Sequence, residues 1–122
     1  MGTETPLVTA VATSRDRHDL LARTLESFLA TNDLPLAAVI VVEDGPAPPR
    51  VLRERYADRD VRWIATGQNV GQIAAIDYAY SRVRTPYIFH LEDDWEFYRH
   101  GYMQRSLTVL ESNPKCLQVW LR

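Results

Sequence analysis

Short apolar runs alternate with helix-like segments along the chain, and this alternation restricts the fold more than any other feature of the sequence. Five runs, at residues 7–12, 38–42, 61–65, 87–91 and 117–121, have the length and composition of strands. Apolar side chains recur at helical spacing between them, at residues 20–29, 50–56, 70–83 and 102–111. We therefore predict an α/β fold with a mostly parallel sheet and helices on both of its faces.

Polar side chains follow four of the five predicted strands. These clusters are Thr13, Ser14 and Arg15 after the first strand, Glu43 and Asp44 after the second, residues 66–69 after the third, and Glu92, Asp93 and Asp94 after the fourth. In open parallel sheets, ligands bind outside the carboxyl ends of the strands. The sequence therefore predicts a binding site at this edge.

The acidic triplet Glu92, Asp93 and Asp94 is the strongest candidate for a metal site. Successive residues of an extended chain point to opposite faces, so a turn is needed to bring two of these carboxylates together. Two adjacent carboxylates both stay ionised when a cation lies between them, and magnesium typically takes one or two carboxylates plus substrate phosphates. A solvated acidic turn, or a helix N-cap, is the structural alternative.

Several other residues near this edge have both a functional and a structural interpretation. Asp44 could accept hydrogen bonds from a ribose or a base, or belong to an Asp-Gly turn. Asn69 fits an N-cap of the third helix. Arg15 and Arg17 could pair with phosphate or be ordinary surface arginines. Trp95, which adjoins the acids, could shield a metal from water.

Composition excludes several classes of protein. The 122 residues suit one domain, 1–122, with 46% apolar and 25% charged residues. A net charge of −2 leaves no basic surplus for nucleic acid. The single cysteine, Cys116, excludes an internal disulfide and suits a reducing compartment. With neither a signal peptide nor a transmembrane segment visible, we expect a cytoplasmic protein.

The motifs together resemble the nucleotide-sugar-binding N-terminal half of glycosyltransferase family 2, which has the Rossmann-like GT-A fold. The matching segments are residues 11–15, 41–45, 69–71 with Ala75, and 89–94, in the family's order and near its spacing. The resemblance extends from about Pro6 to the end of the chain. It implies that this chain is an incomplete GT-A catalytic domain, because family members usually continue into an acceptor-binding half.

The resemblance also implies nucleotide-binding residues. Thr13 and Arg15 match the loop that contacts the nucleotide. Asp44 matches the acid that hydrogen-bonds the base, with Glu43 beside it. Asp93, together with Asp94, matches the Asp-x-Asp-type (DxD-like) element, which contacts the ribose. The partner implied is a nucleotide-diphosphate sugar.

The same DxD-like element implies a metal cofactor, Mn2+ or Mg2+, on the diphosphate. Asp94 is the leading ligand, together with Asp93, and Glu92 is a further candidate. The family often has arginine and asparagine where this chain has Ile76 and Asp77, so an arginine contact to the nucleotide is missing. The reaction implied is sugar transfer to an acceptor hydroxyl; neither the acceptor nor the catalytic general base is identified.

Two alternatives differ in class. The first is a non-catalytic nucleotide-sugar-binding or assembly module on the same fold, with a homodimer formed through residues 117–121 because an unprotected edge strand invites pairing. The second is a receiver-like signalling domain. In a receiver the acidic pair should lie near the N-terminus, but about forty residues precede the pair at Glu43. The lysine that a receiver needs should end the last strand, but Lys115 comes before that strand. Both positions argue against a receiver.

Overall fold

Four strands and four helices alternate along residues 5–121, the part of the chain that the computed structural model describes. They are β1 (Val8–Ser14), α1 (His18–Thr31), β2 (Leu36–Glu43), α2 (Arg50–Arg55), β3 (Val61–Ala65), α3 (Gln72–Ser81), β4 (Tyr87–Glu92) and α4 (Tyr102–Ser112). The prediction of these eight elements is confirmed, with most boundaries moved by one or two residues.

The four strands form one parallel sheet with the order β3-β2-β1-β4. β1 is central and pairs with both β2 and β4, while β3 pairs with β2. At their carboxyl ends, Ser14 is aligned with Glu43 and Thr13 with Glu92. The register therefore brings the predicted polar clusters to the same edge of the sheet, and the predicted α/β class with a parallel sheet is confirmed.

The strand alternation separates two apolar layers. Val39 and Val41 of β2 face α1, α2 and α4, whereas Ile40 and Val42 face α3. Helix α1 buries its apolar side in the larger layer, with Phe28 fully buried. The larger layer also takes Leu21, Leu25, Leu52, Leu91 and Met103. Helices thus cover both faces of the sheet, as predicted.

Helix α3 covers the second face with small side chains. Its buried residues are Ala75 and Ala79, which pack against Val11, Ile40 and Val42 of the sheet. Alanine leaves the helix backbone close to the strands, so the start of α3 lies near the carboxyl edge. This placement brings the residues that precede α3 into the candidate site.

The predicted fifth strand is wrong. Residues 117–121 lack strand structure, and Leu117 and Trp120 are 93% and 79% exposed. An apolar run becomes a strand only when its backbone pairs with a neighbour, and β4 pairs with β1 alone among the described strands. The homodimer predicted through residues 117–121 loses the strand on which it rested and stays untested.

The helices are short, and the longest described one, α1, has 14 residues. Within residues 5–121, none combines the length and the apolar character that crossing a membrane requires.

Candidate functional site

A cleft of about 630 Å³ opens at the carboxyl edge of the sheet, between the start of α1 and the start of α3. It is lined by Thr13, Ser14, Arg15, Arg17, Asp44, Asn69, Gly71, Gln72, Ala75, Glu92, Asp93 and Asp94. Every predicted site residue except Glu43 contributes to this lining. The binding edge expected from the strand ends is therefore a concave surface.

Asp44 lies at the base of the cleft and accepts four hydrogen bonds. Oδ1 accepts from Thr66 Oγ1 at 3.0 Å and from the Val70 N–H at 2.8 Å. Oδ2 accepts from Asn69 Nδ2 and from the Gly71 N–H, both at 2.9 Å. An ionised carboxylate offers about four acceptor positions, so the 66–71 loop occupies all of them.

These bonds also set the charge of Asp44. Burial opposes ionisation, but the Val70 and Gly71 N–H groups, the Thr66 hydroxyl and the nearby Arg15 charge together lower the pKa of Asp44 below its ordinary value. The side chain is 5% exposed. Asp44 is therefore a buried carboxylate that stays charged because its donors are built into the fold.

The loop held by Asp44 positions the start of α3. The predicted N-cap role of Asn69 is wrong, because its amide donates to Asp44 while Gly71 precedes the helix. Gly71 has a φ of 94° and a ψ of 157°, a backbone region that is essentially restricted to glycine. The Asp44 bond to the Gly71 N–H fixes this conformation and directs α3 back over the sheet.

Glu43 is buried on the other face of the sheet, toward α1, and is 4% exposed. Its Oε2 accepts a hydrogen bond from the Asp16 N–H at 2.9 Å, and its Oε1 lies 3.7 Å from His18 Nε2 without a hydrogen-bond partner among the described residues. Burial raises the pKa of Glu43, although the Asp16 N–H and His18 oppose the rise. Glu43 lines a neighbouring cavity of about 800 Å³.

Glu43 supports the turn from β1 into α1. Asp16 in that turn has a φ of 56°, in the left-handed region, which aspartate tolerates better than most residues. The hydrogen bond from the Asp16 N–H to Glu43 holds this turn in place. This turn determines where Arg15 and Arg17 enter the cleft.

The alternation of β4 separates Glu92 from Asp93, as the extended-chain argument anticipates. Glu92 points toward α3, where its Oε1 lies 3.0 Å from His90 Nε2, and His90 Nδ1 lies 3.2 Å from the Tyr80 hydroxyl. A carboxylate can only accept, so His90 Nε2 carries the proton of that bond. One oxygen of Glu92 is thereby held by His90 of β4, which itself contacts Tyr80 of α3.

Asp93 and Asp94 converge on one cationic atom. Arg17 Nη1 lies 3.5 Å from Asp93 Oδ1 and 3.8 Å from Asp94 Oδ2. Burial raises the pKa of Asp93, the Arg17 charge opposes this, and the charges of Asp94 and Glu92 add to it. The hydroxyl of Ser14, buried beside Asp93, has no well-formed hydrogen bond within residues 5–121.

The three acids do not form a three-ligand cluster. Across residues 5–121, no group of three His, Cys, Asp or Glu side chains is arranged to hold a metal ion. Asp93 and Asp94 are brought together at the start of α1, whereas Glu92 is engaged with His90. The arrangement offers two converging carboxylates.

Thr13 and Arg15 lie on the β1 side of the cleft. Thr13 is 7% exposed at the end of β1, and Arg15 lies in the exposed turn that follows it. Arg15 is close enough to Asp44 for its charge to favour ionisation of that residue. The end of β1 and the turn after it, residues 13–16, hereafter the β1 loop, therefore bring a hydroxyl and a guanidinium to the same cleft as the acids.

The sequence offered Arg17 only as a phosphate partner or a surface arginine, it left His18 unassigned, and it misplaced Trp95. Arg17, which directly precedes α1, and His18, its first residue, contact acids of the site, and their position directly after the β1 loop was the available signal. Trp95 lies outside the cleft: its carbonyl accepts a hydrogen bond from the buried Thr24, and its ring packs against Phe97. It does not cover the acids.

The family comparison covers nearly the whole chain. The profile described as Glycosyl transferase family 2 matches residues 9–121. No curated protein matches the chain.

Several solved structures share the fold. S. aureus TarS is similar over 86% of this chain and 19% of its own, with a TM-score of 0.70 and 15% identity. TarS 1-349 in complex with UDP has the same TM-score and identity, and 32% of that chain is covered. Mannosyltransferase PcManGT from Pyrobaculum calidifontis, in complex with GDP-Man and Mn2+, has a TM-score of 0.61 and 20% identity, covering 75% of this chain and 28% of that one. The chain thus spans about a fifth to a third of these structures.

Proposed function

The chain belongs to glycosyl transferase family 2, and we propose that its cleft binds a nucleotide-diphosphate sugar whose sugar is transferred to an acceptor hydroxyl. The observation that carries this proposal is the convergence of Thr13, Arg15, Asp44, Asp93 and Asp94, from three strand ends, on one cleft. Two proteins of the same fold, TarS and the Pyrobaculum mannosyltransferase, are described in complex with UDP and with GDP-Man and Mn2+.

We propose that the β1 loop and the start of α3 hold the nucleotide. Thr13 offers a hydroxyl and Arg15 a planar guanidinium, which suits phosphate. Asp44 keeps the 66–71 loop and the N-terminus of α3 at the cleft, and a helix N-terminus attracts phosphate oxygens. A direct bond from Asp44 to the base requires one of its four present donors to yield its position.

A divalent cation, Mn2+ or Mg2+, fits the Asp93–Asp94 pair. Both are oxygen donors, both face the same Arg17 atom, and magnesium commonly takes one or two carboxylates together with substrate phosphates. We propose Asp94 as the main ligand because it is half exposed, with Asp93 beside it. Glu92 also lines the cleft and has one oxygen that His90 does not engage. When bound, such a cation would act as a Lewis acid toward the leaving diphosphate.

Sugar transfer needs a general base in addition to donor binding. The acceptor hydroxyl attacks the anomeric carbon, the bond to the diphosphate breaks, and a base takes the hydroxyl proton. We assign none of residues 5–121 to that role. A module that binds the donor without transferring it is therefore the alternative within the same family, and an assay for sugar transfer to acceptor alcohols separates the two.

Isothermal titration calorimetry with UDP and GDP, each with and without Mn2+, tests the proposal. We expect binding of at least one nucleotide that is strengthened by Mn2+, and loss of that strengthening in Asp94→Ala. Asp58→Ala is the matched control, since Asp58 is an exposed carboxylate in a turn far from the cleft. Absence of binding by the unmodified protein, or equal Mn2+ dependence in Asp94→Ala and Asp58→Ala, would contradict the proposal.

A further inference from the structure

Arg17 occupies a distinctive place in the cleft. Its Nη1 lies within 4 Å of both Asp93 and Asp94, at 3.5 and 3.8 Å, and no other ion pair to these two acids occurs within residues 5–121. The Arg17 side chain is 56% exposed, whereas its carbonyl accepts the helical hydrogen bond from the Leu21 N–H at 2.9 Å. The backbone is therefore held by the helix, whereas the guanidinium is accessible to solvent and to a ligand in the cleft.

We propose that Arg17 is the counter-cation of the Asp93–Asp94 pair when no donor is bound, and that it exchanges to the donor's diphosphate when a divalent cation takes its place. This inference rests on the proposed function. It adds a binding residue for the diphosphate and an explanation for how metal and nucleotide binding are coupled.

The first step of the argument is electrostatic. Two neighbouring carboxylates repel one another, and one of them, Asp93, is also buried, so a nearby positive charge stabilises the pair. A divalent ion between the same carboxylates supplies that charge more strongly and repels the guanidinium. Arg17 and the metal therefore compete for one position.

The second step is the fate of the displaced side chain. A guanidinium offers a planar fork of N–H donors that matches two phosphate oxygens, and the diphosphate that accompanies the metal carries several. Arg17 belongs to the lining of the cleft in which that diphosphate would lie. The side chain thus gains a new anionic partner at the moment when it loses Asp93 and Asp94.

Competition followed by exchange has a thermodynamic consequence. Metal alone must displace Arg17 into water, whereas metal with a nucleotide diphosphate moves Arg17 from one anion to another. Coupling between two ligands is reciprocal, so the metal strengthens nucleotide binding by the same factor as the nucleotide strengthens metal binding. Removing Arg17 reduces this factor.

The test compares Arg17→Gln with Arg23→Gln by calorimetry and Mn2+ electron paramagnetic resonance. Arg23 is an exposed arginine of the same helix that does not line the cleft, so its replacement removes the same charge without touching the acids. For Mn2+ alone, we expect Arg17→Gln to bind about two- to fivefold more tightly than Arg23→Gln, the range of an exposed ion pair. For UDP or GDP at saturating Mn2+, we expect Arg17→Gln to bind more weakly than Arg23→Gln by a similar factor.

Arg17→Lys separates charge from geometry. Lysine keeps the positive charge near Asp93 and Asp94 but lacks the planar fork. We expect its affinity for Mn2+ alone to stay near that of the unmodified protein, while its affinity for the nucleotide diphosphate remains reduced. This variant also guards against a folding defect, because it keeps the charge and length of the native side chain.

The outcomes distinguish this inference from the proposed function. If the unmodified protein binds nucleotide with Mn2+, but Arg17→Gln and Arg23→Gln have the same affinity for Mn2+ alone, the exchange is refuted and the donor site stands. If no nucleotide binds but Arg17→Gln still gains affinity for Mn2+ alone, the competition stands and the donor site fails. If neither the variants nor the unmodified protein bind nucleotide or Mn2+, alone or together, both are overturned.

Discussion

Asp44 accepts more hydrogen bonds than any other site residue described above, and two of its donors are backbone N–H groups. Asparagine keeps the shape of Asp44, but its NH2 group would face either the Asn69 amide and the Gly71 N–H, or the Thr66 hydroxyl and the Val70 N–H. We expect Asp44→Asn to lower the free energy of unfolding by about 1–3 kcal/mol, the cost of buried donors without acceptors. Urea unfolding at pH 7 measures it.

Asp58→Asn is the control for Asp44→Asn, because Asp58 is exposed and replacing it should change stability by less than about 0.5 kcal/mol. Equal stability of the two variants would show that the 66–71 loop does not depend on Asp44.

Asp44 also predicts a pH effect. Because its folded pKa is lowered, it contributes stability above its ordinary value of 3.8, and that contribution disappears as the pH falls through the folded pKa.

Glu43 predicts the opposite pH dependence. Burial raises its folded pKa above the ordinary value of 4.5, so the folded protein holds a proton that the unfolded chain has already released. The contribution of Glu43 to stability is therefore greatest below pH 4.5 and falls as the pH rises through the folded pKa. Glutamine does not titrate, so we expect Glu43→Gln to abolish this loss of stability. The free energy of unfolding of the variant should therefore rise relative to that of the unmodified protein as the pH increases from 4.5 to 7.

Urea midpoints measured across that pH range test the Glu43 prediction. Glu26→Gln is the control, since Glu26 is an exposed carboxylate on α1 outside the cleft. A stability difference between Glu43→Gln and the unmodified protein that stays constant with pH would mean that Glu43 titrates normally despite its burial.

The residues of the site were predictable in kind but not in their contacts. Strand ends predicted which side chains reach the edge, and strand alternation predicted that Glu92 and Asp93 point apart. The four donors to Asp44 lie 22 to 27 residues further along the chain, on a loop whose course depends on how β3 and α3 pack. Sequence spacing cannot supply such long-range pairings.

At the scale of elements, the junction before α3 makes a specific prediction. Gly71 has a φ of 94°, and an added Cβ would meet no atom within 4 Å, so the cost of Gly71→Ala is purely that of the backbone conformation. We expect a loss of about 1–3 kcal/mol in unfolding free energy, measured by urea denaturation. Weaker nucleotide binding should accompany it, because the start of α3 lines the cleft.

Gly45→Ala is the matched control for Gly71→Ala. Gly45 lacks a left-handed φ, and its added Cβ would lie 3.5 Å from Glu43 Oε2, an ordinary contact. We expect a smaller effect there than at Gly71. Similar stabilities for the two variants would show that the loop relaxes into a conformation that alanine tolerates.

The elements that two separate sequence features indicate were predicted well. The four observed strands combine an apolar run with a polar cluster or helix that places them in the parallel sheet, and the four helices have a buried side. Residues 117–121 had only the apolar run. Their strand prediction failed because strand formation depends on a paired neighbour, which composition does not reveal.

At the scale of the whole molecule, parallel strands concentrate function at one edge. β1 lies between β2 and β4, so the polar groups that end these three strands become neighbours although about eighty residues separate Thr13 from Asp93. The alternation of strands and helices predicted this edge and the class of fold. It did not predict the order β3-β2-β1-β4, which depends on which strands pair.

The most direct test of the central claim is paramagnetic broadening of backbone amide signals by substoichiometric Mn2+ in the presence of UDP or GDP. We predict strong broadening at Thr13, Gly71 and Asp93, at the carboxyl edge, and little at Asp58 and Thr85, which lie a strand's length of roughly 20 Å away at the amino edge. Broadening centred on Asp58 or Thr85, or spread evenly over the protein, would contradict a metal–nucleotide site in this cleft.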